Sequence, residues 1–421
     1  MAEAVATSSP GSERTREFHA LALVSTAHFV QHFQGMVLPP LFPFLAAGFG
    51  VGFVELGFAL TISNIAAVAA QLPVGFLVDR IGSRRMLVSA LILAAVAFIG
   101  FAIAPSYPRL LLMMAAIGLS NSVFHPADYA ILSARIAPAR LGRAFSVHSF
   151  AGFIGTAIAP IAMLAIVAAS GLQIGYALVG MLALTVALPL SLVRRVDSTA
   201  LRDPGAEGRP AADQGEGRIS VLTPSILALT GFFALLSLSG SGISNFSVVA
   251  LTTAYGTPLS IANLALTGYL TAQAFGILAG GFVADLTRRH AEVAALGYGV
   301  NACIVLLIGS VRLDAVPLVG AMACAGFLGG MIMPSRDMLV RAAAPPGAVG
   351  RTFGIVTSGF AIGGMVGPLM FGFIVDHGAP RWVFGASVIV MLVTAAVALI
   401  GDRRAAANRR RRAAMAAQPA E

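Results

Sequence analysis

Apolar runs of roughly 20 residues, parted by short polar turns, fill nearly the whole 421-residue chain. Each run is long enough to cross a hydrocarbon core of about 30 Å as a helix. The runs do not alternate apolar and polar residues, which excludes the strands of a lipid-facing barrel. The pattern predicts twelve spans, at 19–46, 54–78, 86–104, 109–134, 142–168, 172–193, 224–251, 260–284, 291–311, 315–340, 350–375 and 381–400. Between the sixth and seventh, "RRVDSTALRDPGAEGRPAADQGEGRIS" is polar and rich in Gly and Pro, as linkers are. The expected organisation is a tail over 1–17, a six-helix bundle over 18–193, a linker over 194–223, a second bundle over 224–400 and a basic tail over 401–421.

Composition sharpens this picture. Hydrophobic residues make up 57% and charged residues 11%, against about 25% charge in soluble proteins. The net charge of +9 would suggest nucleic acid in a soluble chain. Here every Lys-or-Arg position is arginine, and 23 of the 27 fall on one side if the N-terminus is inside. That asymmetry predicts both termini in the cytoplasm, with the "RRRR" at 409–412 as a further anchor on the same side. Nucleic acid is not an expected partner. The opening "MAEAVATSSPGSERTREF" lacks an apolar core and reads as a cytoplasmic tail. Cys303 and Cys324 both fall in spans, so no disulfide framework is expected.

The chain also repeats itself. "PADYAILSARIAPARLGRAFSVHSFAGFIGTAIAP" from Pro126 aligns without a gap to "PSRDMLVRAAAPPGAVGRTFGIVTSGFAIGGMVGP" from Pro334. Pro138 meets Pro346, Gly142-Arg143 meets Gly350-Arg351, and Pro160 meets Pro368. "GFLVDRIGSRR" at 75–85 has a shorter copy, "GFVADLTRRH", at 281–290. Two copies of a six-span unit enter the membrane the same way round, an architecture used by transporters with a site between the copies.

"GFLVDRIGSRR", following the second span, resembles the loop between spans two and three of the major facilitator superfamily. Gly75, Asp79, Arg80, Gly82, Arg84 and Arg85 carry the match. The second copy keeps Gly281, Asp285, Arg288 and Arg289 and lacks the middle glycine. The resemblance implies an all-α membrane fold of twelve helices around a central cavity, with these motifs as a gate. A gate is also physically reasonable, because a carboxylate at one helix end can meet the positive N-terminus of another. "STAHFVQHFQGMVLPPLFPFL" and "GLSNSVFHPADYAILSARI" look like spans one and four of the fosmidomycin-resistance type of efflux transporter, through His28 and Phe124-His125-Pro126.

Ionisable residues at mid-membrane cost about 2.5–3.5 kcal/mol on insertion scales, so they normally face a wet cavity. Spans 1, 4 and 10 carry His28, His32, His125, Asp128, Arg336 and Asp337. Gln31 lies near the first pair, and span 7 adds Asn245 in "SLSGSGISNFS". In the superfamily these spans line the cavity, which makes the eight residues candidate substrate or proton ligands. His28 and His32 are four apart and share a helix face, as His125 and Asp128 do at three apart. Asp128 is expected to tune His125, to join an inner gate near Arg135, or to pair with Arg336. His148 is expected to pack or to sit at an interface. No metal site is expected, because no cysteine–histidine spacing accompanies the histidines. No nucleophile elbow or nucleotide loop suggests an enzyme. The expected function is a monomeric secondary transporter of the inner membrane, exporting a drug-like or anionic compound against protons, without a cofactor. Proton-coupled uptake of a small organic acid or other metabolite is the alternative.

Overall fold

A computed structural model describes residues 10–193, 223–287, 289–345 and 349–416. The expected linker and Arg288 of the second motif lie outside the described residues. Every regular element among the described residues is helical. The chain runs through α1 (Pro10–Gly35), α2 (Phe42–Phe49), α3 (Phe53–Ile81), α4 (Ser83–Ile103), α5 (Tyr107–Arg135), α6 (Pro138–Ser170) and α7 (Leu172–Leu192). It continues through α8 (Pro224–Tyr255), α9 (Leu259–Leu286), α10 (His290–Ser310), α11 (Ala315–Ala343), α12 (Val349–Asp376) and α13 (Trp382–Ala416).

The first predicted span is broken. Pro39 and Pro40 have no N–H to donate, so the chain leaves the α-helix at Gly35 and makes a single 3-10 turn at Pro39–Leu41. It then resumes as α2, which ends on Gly50 at φ 63°. Eleven other helical stretches are each apolar and long enough to cross a membrane. The α1 helix falls short by composition alone, because Glu13, Arg14, Arg16 and Glu17 occupy its first turns and His28 and His32 follow. Prolines inside α5, α6 and α11 do not end those helices. Neighbouring helices and local adjustment make the lost hydrogen bond tolerable there.

The chain divides into two compact units, Met1–Val37 with Ile65–Gln214, and Leu38–Asn64 with Gly215–Glu421. In the first, α1 packs on α6, and α4 packs on α5 and α7. Its core joins Val24, Ala27 and Val30 of α1 to Leu87, Leu91, Phe124, Ile131 and Leu190. In the second, α8 packs on α12, α10 packs on α11 and α13, and α9 packs on α11. Each pairing of the first unit thus recurs in the second at the repeat offset.

Contact in the second unit is close because side chains are missing where backbones meet. A methyl on Gly276 or Gly280 would run into the backbones of Phe327 or Met331, and one on Gly326 or Gly330 into those of Tyr269 or Gln273. Small residues at helix crossings are the membrane route to tight packing, since apolar burial gives helices in lipid little drive to associate. Residues 38–64 join this unit through polar contacts. The Asp376 carboxylate accepts from the backbone N–H groups of Phe53 at 2.8 Å and Val54 at 2.7 Å, at the start of α3. Thr61 donates to the Met365 carbonyl at 2.8 Å, and Asn64 to the Gly364 carbonyl at 2.9 Å.

The first unit has a polar tie of its own. Glu17 on α1 accepts from Arg140 Nε at 2.8 Å, from Arg140 Nη2 at 2.7 Å and from the Ala137 N–H at 3.1 Å. The Arg140 guanidinium holds the Glu17 carboxyl below the usual glutamate range. A depressed carboxyl pKa contributes stability that is fully present above the unfolded value and lost as pH falls through the folded one. Glu17→Gln therefore lowers the thermal midpoint of the purified protein at pH 7, and the gap to wild type closes below about pH 4. A gap that stays constant with pH contradicts the tie.

Candidate functional site

Three helices of the first unit bring an ionisable cluster together. The α1 helix supplies His28 and His32 one turn apart, α5 supplies His125 and Asp128, and α6 supplies His148. Asp128 is completely buried, and its Oδ2 lies 3.2 Å from His28 Nδ1 and 3.3 Å from His148 Nε2. Neither contact has the alignment of a hydrogen bond. The His28 and His148 rings stack at 4.0 Å between centroids. His32 and His125 border His28 at 4.5 and 5.4 Å. His32 Nδ1 is also 3.0 Å from the Thr156 hydroxyl.

The glycine that makes room for this cluster is Gly152 on α6. A methyl there would lie 2.6 Å from His28 Cδ2 and 2.9 Å from His32 Cδ2. One turn on, Gly155 lets α6 touch the backbone of α1 at Phe29. Side-chain chemistry alone did not single out these two positions, and the small-residue spacing Gly152-x-x-Gly155 was the available signal.

His148 departs from expectation. It is not a packing residue outside the cluster but one of the two imidazoles on Asp128. Asp128 accordingly meets His28 and His148 more closely than its helix neighbour His125, which is exposed. Within the second unit, Arg336 Nε bonds Asp337 Oδ1 at 2.9 Å. Its guanidinium sits 5.0 Å from the ring centroids of both Phe233 and Phe360. Asn245 donates to Ser241 Oγ at 3.0 Å, and Gln31 keeps a buried Oε1 without a hydrogen-bond partner among the described residues.

The gate motif is placed on the α3–α4 turn. Gly82 has φ 100°, a conformation that favours glycine and explains its place in the motif. Arg84 donates to the carbonyls of Ser191 at 2.7 Å and Leu190 at 3.4 Å, tying α4 to the end of α7. Gly75 is half-buried, and Asp79, Arg80 and Arg85 are exposed. In the second copy Asp285 is exposed, and Arg289 pairs with Glu292 at 3.4 Å.

A buried carboxylate with no compensating charge costs several kcal/mol, so a proton must stay with this cluster, on the carboxyl or on an imidazole. The donor atoms of His28, Asp128 and His148 lie within 4.8 Å of one another, a spacing a metal ion also requires. A zinc ion, however, sits about 2.0–2.1 Å from each imidazole nitrogen, close to the ring plane. Two rings stacked at 4.0 Å with planes 28° apart do not direct their lone pairs to one such point. The arrangement fits a shared proton and does not fit a metal held by both rings.

A model of the Major Facilitator Superfamily matches residues 24–243 and 227–420. The chain belongs to that superfamily. It is 25% identical over 373 residues to the fosmidomycin resistance protein of Escherichia coli K12, covering 86% of this chain and 87% of that one. Over a shorter stretch of 103 residues it is 39% identical to a Na(+), Li(+), K(+)/H(+) antiporter of Planococcus maritimus, covering 23% of this chain and 24% of that one. Among solved structures, a bacterial homologue of the human lysosomal transporter Spinster, inward-facing and occupied, superposes with a TM-score of 0.76 at 15% identity, over 94% of this chain and 98% of that one. The nucleoside transporter NupG superposes with a TM-score of 0.72 at 14% identity, over 91% of this chain and 99% of that one. At such identities these two likenesses speak for the fold alone. This superfamily member is therefore a multi-pass membrane transporter and not an enzyme.

Gly152→Ala tests the cluster's construction. The added methyl forces His28 and His32 aside and destabilises the protein by about 1–3 kcal/mol. Gly142→Ala, on the same helix with nothing within 4 Å of its added carbon, is the control. Thermal unfolding in detergent reads both, and equal midpoints for the two variants contradict the packing described.

Proposed function

We propose that this transporter exports a small, drug-like or anionic compound in exchange for protons, working as a monomer in the inner membrane with both termini in the cytoplasm. The observation that carries the reading is the buried Asp128 carboxylate set between the His28 and His148 imidazoles. Imidazoles beside a carboxylate can exchange protons near neutral pH. His32, His125 and Gln31 border this proton site. Arg336, Asp337 and Asn245 offer polar contacts for substrate in the second half. The arginine bias between spans supports the orientation. The name of the Escherichia coli relative, a resistance protein, supports export of a toxic compound.

The inner gate in this reading is formed by Asp79 with the arginines around Gly82, and by Asp285 with Arg288 and Arg289. Support comes from the recurrence of the spacing in both halves. Asp79 can stabilise a closed state by meeting a helix N-terminus and release it when the halves rock.

Proteoliposomes test the coupling, with fosmidomycin as the first compound tried. In wild type an imposed pH gradient drives accumulation, and counterflow proceeds without one. Asp128→Asn keeps counterflow, because binding and rocking need no net proton movement, and it loses gradient-driven accumulation. His148→Gln acts in the same direction. Accumulation in Asp128→Asn equal to wild type across pH 5.5–8, a range of about one unit or more around histidine titration, contradicts the proposal.

A further inference from the structure

The last apolar stretch of the chain opens on an arginine and a tryptophan, Arg381-Trp382. Trp382–Gly401 is a 20-residue candidate membrane span. At about 1.5 Å per residue it covers about 30 Å, one hydrocarbon core. Trp382 therefore stands at the edge of the apolar layer, and Arg381 one residue outside it, at the level of lipid headgroups. Tyr255 ends a second candidate span, on α8, which packs against α13. Trp382 is the only tryptophan of the chain and is 58% exposed. The arginine bias of the sequence leaves Arg381 on the side with few arginines, so orientation gives no reason for a cation here.

The structure holds that cation in place without answering its charge. The Arg381 guanidinium lies over the Tyr255 ring, 5.0 Å from its centroid, within the range of a cation–π contact. The Tyr255 hydroxyl donates to the Gly309 carbonyl, which ties the ring to the end of α10. No carboxylate pairs with Arg381 among the described residues. Asp376, at the end of α12, is turned to the Phe53 and Val54 N–H groups instead. Beside Arg381 opens a cavity of about 440 Å³, lined by Ala254 of α8 and by Gly378, Ala379, Pro380, Arg381 and Trp382. Small-molecule sites occupy about 300–1,000 Å³. None of the lining residues is acidic.

We infer that this cavity binds the headgroup phosphate of an anionic phospholipid, with Arg381 on the phosphate oxygens and Trp382 beside the glycerol and the start of the chains. A guanidinium suits a phosphate because its N–H groups meet two oxygens at once. An indole suits the neighbouring position, where one side is apolar and the other wet. A zwitterionic headgroup brings an ammonium that no lining carboxylate answers, so phosphatidylglycerol is preferred over phosphatidylcholine. The bound lipid bridges the end of α8 and the turn between α12 and α13. The inference stands apart from the export reading and needs neither its cargo nor its protons.

Trp382, as the sole tryptophan, reports on its own surroundings. Protein is reconstituted in vesicles of phosphatidylglycerol and phosphatidylcholine, with one or the other lipid brominated in its chains, and quenching of tryptophan fluorescence gives the local preference. Wild type favours phosphatidylglycerol about fivefold, which is what one basic residue adds at an anionic surface. Arg381→Gln removes the preference, and Arg381→Lys, which keeps the charge, retains most of it. Arg312→Gln, which removes an exposed arginine outside the cavity, leaves it unchanged. Rising salt weakens it in wild type, since an exposed ion contact is screened. Equal quenching by the two lipids in wild type overturns the inference. So does a preference that survives Arg381→Gln or, if that variant does not fold, one that salt leaves untouched. Inorganic phosphate added at constant ionic strength leaves the preference in place; its loss there means that the cavity takes the free anion, and overturns the lipid assignment.

Discussion

A fully buried carboxylate is the constraint around which the first unit is arranged. Asp128, buried in a membrane-spanning helix, can be tolerated only if something answers its charge, and the chain answers with imidazoles from two other helices. That requirement fixes details far from the carboxylate. His28 must lie within reach of α5, so α1 must approach α6, and α6 must be glycine at 152 and 155. Pro126, two residues before Asp128, sits in a helix that continues unbroken beside the cluster. The cost of one charge in lipid thus reaches into backbone packing.

The second unit repeats the α1–α6, α4–α5 and α4–α7 pairings as α8–α12, α10–α11 and α10–α13, adds a close α9–α11 contact, and carries different chemistry. Its α9–α11 contact is made by four glycines meeting carbonyls, and it carries no buried carboxylate–histidine group among the described residues. Among its polar groups is the Arg336 guanidinium, 5.0 Å from the ring centroids of Phe233 and Phe360. Duplication preserved the architecture and left the two copies free to specialise.

Much of this was legible in the sequence, for reasons that differ by feature. Long apolar runs and arginine-rich turns report helices directly, because lipid allows few alternatives. The 208-residue repeat reports that the halves share a fold. Ionisable residues in lipid announce themselves by their cost, which made His28, His32, His125 and Asp128 stand out among the eight candidates. Partner choice was not readable. Helical spacing put His125 beside Asp128, but the structure gives its tightest contacts to His28 and His148, since which faces of three helices meet depends on packing between helices and not on spacing along one. The broken first span was missed because its proline pair sits inside an apolar run. Asp376, which closes onto the start of α3, lies one residue past the predicted span 350–375 and carried no signal of that role.

The account stands on a proton held by Asp128 and its imidazoles and given up in exchange for cargo. Proton release into weakly buffered solution, measured when purified protein binds a compound it transports, tests this most directly. Wild type should release protons on binding near neutral pH, and Asp128→Asn should bind the same compound while releasing few or none. Equal release from both proteins, or none from wild type, would contradict the account.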